Sequence, residues 1–401
     1  MDIDLIPWLN LAVRWLHLVA GIAWIGSSFY FVWLDNHLRP PRHAKAGVQG
    51  ELWSVHGGGF YHQQKYPVAP ADMPEELHWF KWEAYWTWIS GFFLLGIVYY
   101  LGADVYLIDT AKADLGRAGA IALGLAVLAG GWLAYDGLSR SPLGRQSLLF
   151  GALWFGALTA LAFALQQIFS DRGAFVHVGA VIGTAMVGNV FFVIIPNQKK
   201  VVADLTAGRD PDPALGRQAK QRSVHNNYMT LPVLFIMISN HYPMTYGHSL
   251  GWLSLAGLAL SGVLIRHFFN LRHFGHHRPA YPAAGVAVFL AVMGVSSWSS
   301  GRALPDLGAA GETRFAQVQT IVTTHCTTCH AAQPSHRWFD APPGGVVLTD
   351  RAAIERYAPQ IYAQAVASNV MPMGNETGMT IAERQTLGAW LAANTDGVSA
   401  P

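Results

Sequence analysis

Charge is scarce in this chain. Of its 401 residues only 12% are Asp, Glu, Lys or Arg, where soluble proteins carry about 25%, so a fully solvated surface is excluded. Cysteine is scarcer: Cys326 and Cys329 are the only two, which excludes a disulfide framework. A charge block of one sign is also missing. The formal net charge is +2, and the Lys and Arg residues lie between apolar stretches, which argues against nucleic acid as a partner. What is abundant is apolar surface, with 52% hydrophobic residues, 15 Trp and a mean hydropathy of +0.26. The expected solvent for most of it is a lipid bilayer.

A hydrocarbon layer of roughly 30 Å needs about 20 mainly apolar residues per helix. Eight runs meet that description: 8–34, 79–103, 118–136, 147–169, 173–196, 224–241, 249–269 and 281–298. A count of seven stays open, because the sixth run contains Asn226, Asn227 and Pro232. The first run is expected to be a span and not a cleaved leader, since Met1 to Pro7 carries no positive charge. Fourteen Lys and Arg fall in the first, third, fifth and seventh connections, against three in the N-terminus and the even connections. Positive charge marks cytoplasmic loops, so both termini are expected outside the cytoplasm.

The character changes after about residue 298. Residues 299–311 read as a linker, and 312–401 as a small, slightly acidic, soluble domain with three helices. These are expected over Glu312 to Thr324, from an Asp350 N-cap to Ser368, and from a Thr380/Glu383 capping box to Ala393. The expected fold is therefore all-α: a polytopic membrane bundle followed by a small helical domain.

That domain carries Cys326-Thr327-Thr328-Cys329-His330, the attachment spacing of c-type haem. Two thiols would bond the porphyrin vinyl groups, and His330 would reach the iron. A zinc knuckle would need a further pair of ligands, which His336 alone does not supply. The sixth iron ligand is expected from the Pro/Gly-rich loop Met371-Pro372-Met373-Gly374-Asn375, with Met371 first, then Met373 and then Met379. His/Met ligation suits an electron acceptor. Because such haem is attached outside the cytoplasm, the motif agrees with the orientation read from loop charge.

Ionisable residues inside spans are functional candidates by default. In the first span Arg14, His17, Gly21, Trp24 and Ser28 share one face. His177 lies in the outer half of the fifth span, and His241 closes the sixth on the same side. These histidines could hold a membrane haem in pairs, surround a polar substrate, or simply hydrogen-bond neighbouring helices. A second candidate pocket gathers Arg222, His225, Asn226, Asn227, Tyr228 and Thr230 at the other end of the sixth span, with the glycine run of 55–62 able to fold over it.

With these residues in view, the chain resembles the membrane-bound, cytochrome-c-coupled urate oxidase (urate hydroxylase) family of bacteria. The likeness covers nearly the whole chain. It rests on RWLHLVAGIAWIGSSFYFVWLDNHL, on HNNYMTLPVLFIMISNHYP, and on CTTCH with MPMGN; the last two mark almost any small c-type cytochrome. The first span is also similar to the first helix of a membrane haem family involved in protoporphyrinogen oxidation, which keeps a haem b in play. The resemblance implies oxidation of urate to 5-hydroxyisourate, with electrons passing to a haem c held by Cys326, Cys329, His330 and Met371. From there they would go to a respiratory acceptor, a cytochrome c or a terminal oxidase, at a bacterial inner membrane. A planar anionic substrate calls for a cation and a base, which makes Arg14, His17 and His177 the expected catalytic set. A quinol-to-cytochrome carrier and a haem-bearing membrane sensor are the alternative functions.

Overall fold

A computed structural model gives the fold and describes residues 5–43, 46–66, 70, 74–273, 275–300 and 311–394. Most of the expected linker lies outside the described residues. The chain is mainly helical, and six helices among the described residues are long and apolar enough to cross a membrane. The first, α1 (Leu5–His37), has 33 residues, about 50 Å of rise at 1.5 Å per residue. Its Trp8, Trp15 and Ile22 are exposed, as are Leu148 and Phe289 on later helices. Water would not tolerate such a surface, whereas lipid tails would.

After α1 comes a hairpin that the all-α expectation omitted. Strands β1 (Gly50–His56) and β2 (Gly59–Lys65) pair antiparallel, with Trp53 opposite His62. Gly57 and Gly58 turn the chain with φ of 58° and 79°, a two-residue turn that only positive φ allows. The segment 55–62 is thus a hairpin tip, with Val55 and Phe60 exposed, and not a cover folded over a pocket.

The next helix, α2 (Trp82–Leu95), runs into a π-helical turn at Gly96–Tyr100 and then the short α3 (Ala103–Tyr106). Helices α4 (Arg117–Arg140) and α5 (Ser147–Gln166) follow. Then α6 (Asp171–Gly188), a π-helical turn (Asn189–Ile194) and α7 (Ile195–Thr206) form one long segment. This segment is the axis of the bundle: Val178, Val181, Ile182 and Ala185 are almost fully buried. Close approach of α4 is possible because Gly131 has no side chain where a Cβ would stand 2.6 Å from Val181, the small-residue contact that helices use in place of a hydrophobic drive in lipid.

Helix α8 (Pro213–Ser239) begins eleven residues before the expected sixth run, because Asp212 caps it by accepting Ala214 N–H at 2.8 Å and Pro213 opens it. Its first half is polar, so it is not among the six apolar helices, and neither is the interrupted segment 82–100. Helices α9 (Gly251–His273) and α10 (Ala280–Ser300) complete the bundle.

The C-terminal unit contains α11 (Gly311–His325), α12 (Arg351–Arg356), α13 (Ala358–Ile361) and α14 (Ile381–Asn394). Val318, Val322, Ile354, Leu387 and Leu391 form its core. The single helix expected over 350–368 is broken at Tyr357 and ends in a π-helical turn at Tyr362–Val366. Asp350 caps α12 as expected, accepting Ala353 N–H at 2.9 Å. The capping box also forms: Thr380 N–H donates to Glu383 at 2.7 Å, and Glu383 N–H donates to Thr380 Oγ1 at 3.2 Å. The unit docks on the end of the bundle made by 101–116 and 240–250, which is called the proximal end below. Asn369 N–H donates to Gly247 O at 3.0 Å, and Arg337 pairs with Asp104.

Candidate functional site

The end of α11 delivers Cys326 and Cys329 as free thiols to the wall of a cavity of about 340 Å³. Its lining is predominantly apolar, with Leu348, Ile361, Phe339 and Pro372 among the wall residues. Burial pushes the Cys326 thiol up to about 12 and raises Cys329 as well. The protonated thiol is the form that adds to a vinyl group.

His330 is oriented by its neighbours. Its Nδ1–H donates to Val346 O at 3.0 Å, and its own carbonyl accepts Leu348 N–H at 2.7 Å. The carbonyl fixes the tautomer, with the proton on Nδ1 and the lone pair on Nε2. His325 also lines the cavity, but its two nitrogens are engaged by Thr377 at 2.8 Å and Glu383 at 3.2 Å. His336, the residue a zinc site would need, binds Glu376 at 2.9 Å. Among the described residues no group of three His, Cys, Asp or Glu is placed to hold a bare metal ion.

Met371 and Met373 line the same cavity. Met379 does not join them; it packs in the core against its neighbours and is 3% exposed. Arg384 of α14 fastens the methionine loop, donating to Met371 O at 2.6 Å, Ala365 O at 2.7 Å and Asn375 Oδ1 at 3.2 Å. Two thiols, one oriented imidazole and a methionine thioether around one apolar cavity fit a covalent haem. Val105 of α3 reaches the same cavity from the bundle.

Inside the bundle the expected trio does not converge. Arg14 is exposed and its Nε donates to Asn10, one turn back, at 3.2 Å. His17 turns to α2, where Nδ1 meets Thr87 O at 3.0 Å and Ser90 Oγ at 3.1 Å. His177 is fully buried, with Nδ1–H donating to Gly173 O at 2.8 Å and Nε2 facing the Tyr100 hydroxyl at 3.3 Å. His241 is exposed at the end of α8. Among the described residues no hydrogen-bond partner is common to these four, and the Tyr99 ring lies edge-on to His177 at 6.4 Å.

The second candidate pocket is split in two by α8, since adjacent residues on a helix point in different directions. On one side Arg222 donates to Asp136 Oδ1 at 2.7 Å and to Asn189 Oδ1 at 3.1 Å. Asn189 donates to Tyr135 and to Asn226 Oδ1, both at 2.8 Å, and the Tyr135 hydroxyl is hydrogen-bonded to His225 Nδ1 at 2.8 Å. The His225 ring stacks on Phe150 at 4.2 Å. This network closes on itself: the cation has a carboxylate and each amide its partners.

On the other side Asn227 faces α9. Its Oδ1 accepts from Arg266 Nε at 3.0 Å and from Asn270 Nδ2 at 2.8 Å. The Arg266 guanidinium lies over the Phe29 ring of α1 at 3.9 Å. Asn227 Nδ2 and Asn270 Oδ1 are buried with no hydrogen-bond partner.

Compared with known families, residues 4–297 match the urate oxidase N-terminal model. The chain belongs to the urate oxidase N-terminal family. Neither curated proteins nor solved structures yield a match. The urate oxidase match spans the whole bundle with both polar clusters, and stops before the unit that carries Cys326 and Cys329. Membership shows an enzyme family related to urate oxidation and leaves the cysteine unit to be argued from its own geometry.

Within the urate oxidase bundle, sequence reading missed Arg266, Asn270, Tyr135 and Asp136. A signal existed for Arg266 and Asn270: they lie four apart on α9 and so share a face. Arg266 was hidden by its place near the end of an apolar run, where a snorkelling side chain is the ordinary reading.

Proposed function

We propose that this chain is a membrane-bound urate oxidase that passes electrons to a haem c on its own C-terminal unit. The reaction takes urate and water to 5-hydroxyisourate, two protons and two electrons. Family membership supports the substrate, and the cavity joining Cys326, Cys329, His330 and Met371 supports the acceptor; that cavity is the single observation that carries the reading. When bound, haem c would take up electrons one at a time. The chain's own residues hold it: the thiols attach it, Val346 aims His330, and Arg384 sets the methionine loop.

The bundle is read here with eight spans, counting 82–100 and α8 beside the six apolar helices, in a bacterial inner membrane. Fourteen of the seventeen Lys and Arg in the N-terminus and the connections between expected spans then lie on the cytoplasmic side, and the C-terminal unit faces the periplasm. A cytochrome c or terminal oxidase there would be the next acceptor. The route from bundle to cavity runs through the proximal end, where Val105 enters the cavity wall and Met373 and Gly374 meet Tyr106 and Arg172 around a small cavity. Arg172 is held there by Tyr99 and Asn240 at 3.1 and 2.9 Å.

The deciding experiment is an anaerobic spectrum of the purified chain before and after urate. Growth of the reduced c-type bands without oxygen is expected. Reduction by quinol alone would assign an electron carrier instead, and no reduction by either would leave a sensor. Pyridine haemochrome analysis counts the haems, with one c-type haem per chain expected.

A further inference from the structure

The Arg266 cluster differs from the Arg222 cluster in one respect that has chemical consequences. Arg222, 3% exposed, has Asp136 as its counter-ion. Arg266, 5% exposed, has no carboxylate partner among the described residues. A buried cation without a counter-charge is costly, and so are the neighbouring orphaned donor, Asn227 Nδ2, and acceptor, Asn270 Oδ1. Three unmet polar demands come from two helices and fall within one hydrogen-bonded group.

Their chemistry is specific. The 2.8 Å bond between Asn270 Nδ2 and Asn227 Oδ1 joins the two amides, and the joined pair keeps one free donor and one free acceptor. That is the complement of a cyclic amide edge, a ring N–H beside a ring carbonyl. Phe29 covers one face of the guanidinium, which leaves its N–H edge to meet a flat anion.

We propose that Arg266, Asn227 and Asn270 form the binding site for a planar heterocyclic anion with lactam edges. Given the urate reading above, on which this inference rests, the ligand is urate. Arg266 neutralises the anion, Asn227 Nδ2 donates to a ring carbonyl, and Asn270 Oδ1 accepts from a ring N–H. The site sits in the distal half of the bundle, with α1, α8 and α9 each supplying one wall.

The test uses the full chain with its haem, in lipid nanodiscs, and labelled urate as the probe. Arg266→Gln is expected to weaken urate binding by roughly 10- to 100-fold and Asn270→Ala by roughly 10-fold, with the c-type spectrum unchanged. Arg266→Lys, which keeps the charge and loses the fork, should fall between wild type and Arg266→Gln. In turnover the same variants should raise KM more than they lower kcat. If wild type binds urate and both Arg266→Lys and Asn270→Ala bind it equally well with normal KM, the site assignment is overturned and the urate reading stands. If wild type neither binds urate nor is reduced by it, the urate reading falls, and the assignment with it.

Discussion

Met371 and Met373 both line the cavity that His330 lines, and under the haem c proposal the choice between them would set the electronics of the iron. Arg384 grips the Met371 carbonyl directly, whereas Met373 also lines the small cavity at the bundle junction. Met371 is therefore the better-fixed ligand. Met371→Leu should leave the haem attached, since both thiols remain, but lower its reduction potential by on the order of 100 mV; Met373→Leu should leave the potential nearly unchanged. Redox titration of the two variants checks this, and a reversed pattern would exchange their roles. Arg384→Ala should act through Met371, broadening or losing the thioether-to-iron absorbance while the haem stays covalently bound. In the bundle, Asp136→Ala removes the counter-ion of a nearly buried Arg222 and should destabilise the chain by about 3–5 kcal/mol, seen as a lower melting temperature. The cysteine pair and the methionine loop could be picked out from local spacing and loop composition, and the fold brings them to one cavity. The partners of His17 and His177 could not be read in advance, because only the neighbouring helices show which groups each imidazole meets.

At the scale of elements, long apolar runs located the helices of the bundle, and the two caps of the C-terminal unit could be read from single residues. The hairpin was missed because its strands are short and polar, and its turn signal is two glycines within a run of three. The π-helical turns at 96–100, 189–194 and 362–366 leave no periodic trace in sequence, yet each one supplies a site residue: Tyr99, Asn189 and Gln364. An inserted residue re-aims side chains without ending the helix. The capping box of α14 carries a pH dependence. Hydrogen bonds from the Thr380 hydroxyl and amide, helped by His325, hold Glu383 down to about 2 from the ordinary 4.5. With the folded value depressed, this stabilisation is complete above about pH 4.5 and is lost as pH falls toward 2. Thermal melts of the haem-bearing chain should decline across that window. Thr380→Ala should cost about 1 kcal/mol at pH 7 and flatten the decline.

At the scale of the molecule, the question is what seats the C-terminal unit on the bundle. The Arg337–Asp104 pair is an obvious candidate, but Arg337 is 61% exposed, and exposed pairs contribute only about 0–1 kcal/mol. The backbone contact at Gly374 is the stronger constraint. Its φ of 60° suits glycine, and a Cβ there would stand 2.6 Å from Ile108 O, 3.0 Å from Asp104 O and 3.2 Å from Val105 O. Three carbonyls at the end of a short helix cannot all retreat, so Gly374→Val should lift the methionine loop away from α3. Urate-driven haem reduction should then slow by at least about tenfold, since even a small displacement of reacting groups is costly, while dithionite still reduces the haem completely. Arg337→Ala should change the urate-driven rate less than about twofold. Stopped-flow absorbance of the two variants compares the contributions directly. Equal slowing would make the ion pair the seat of the unit, and no slowing in either would place the electron route away from this junction.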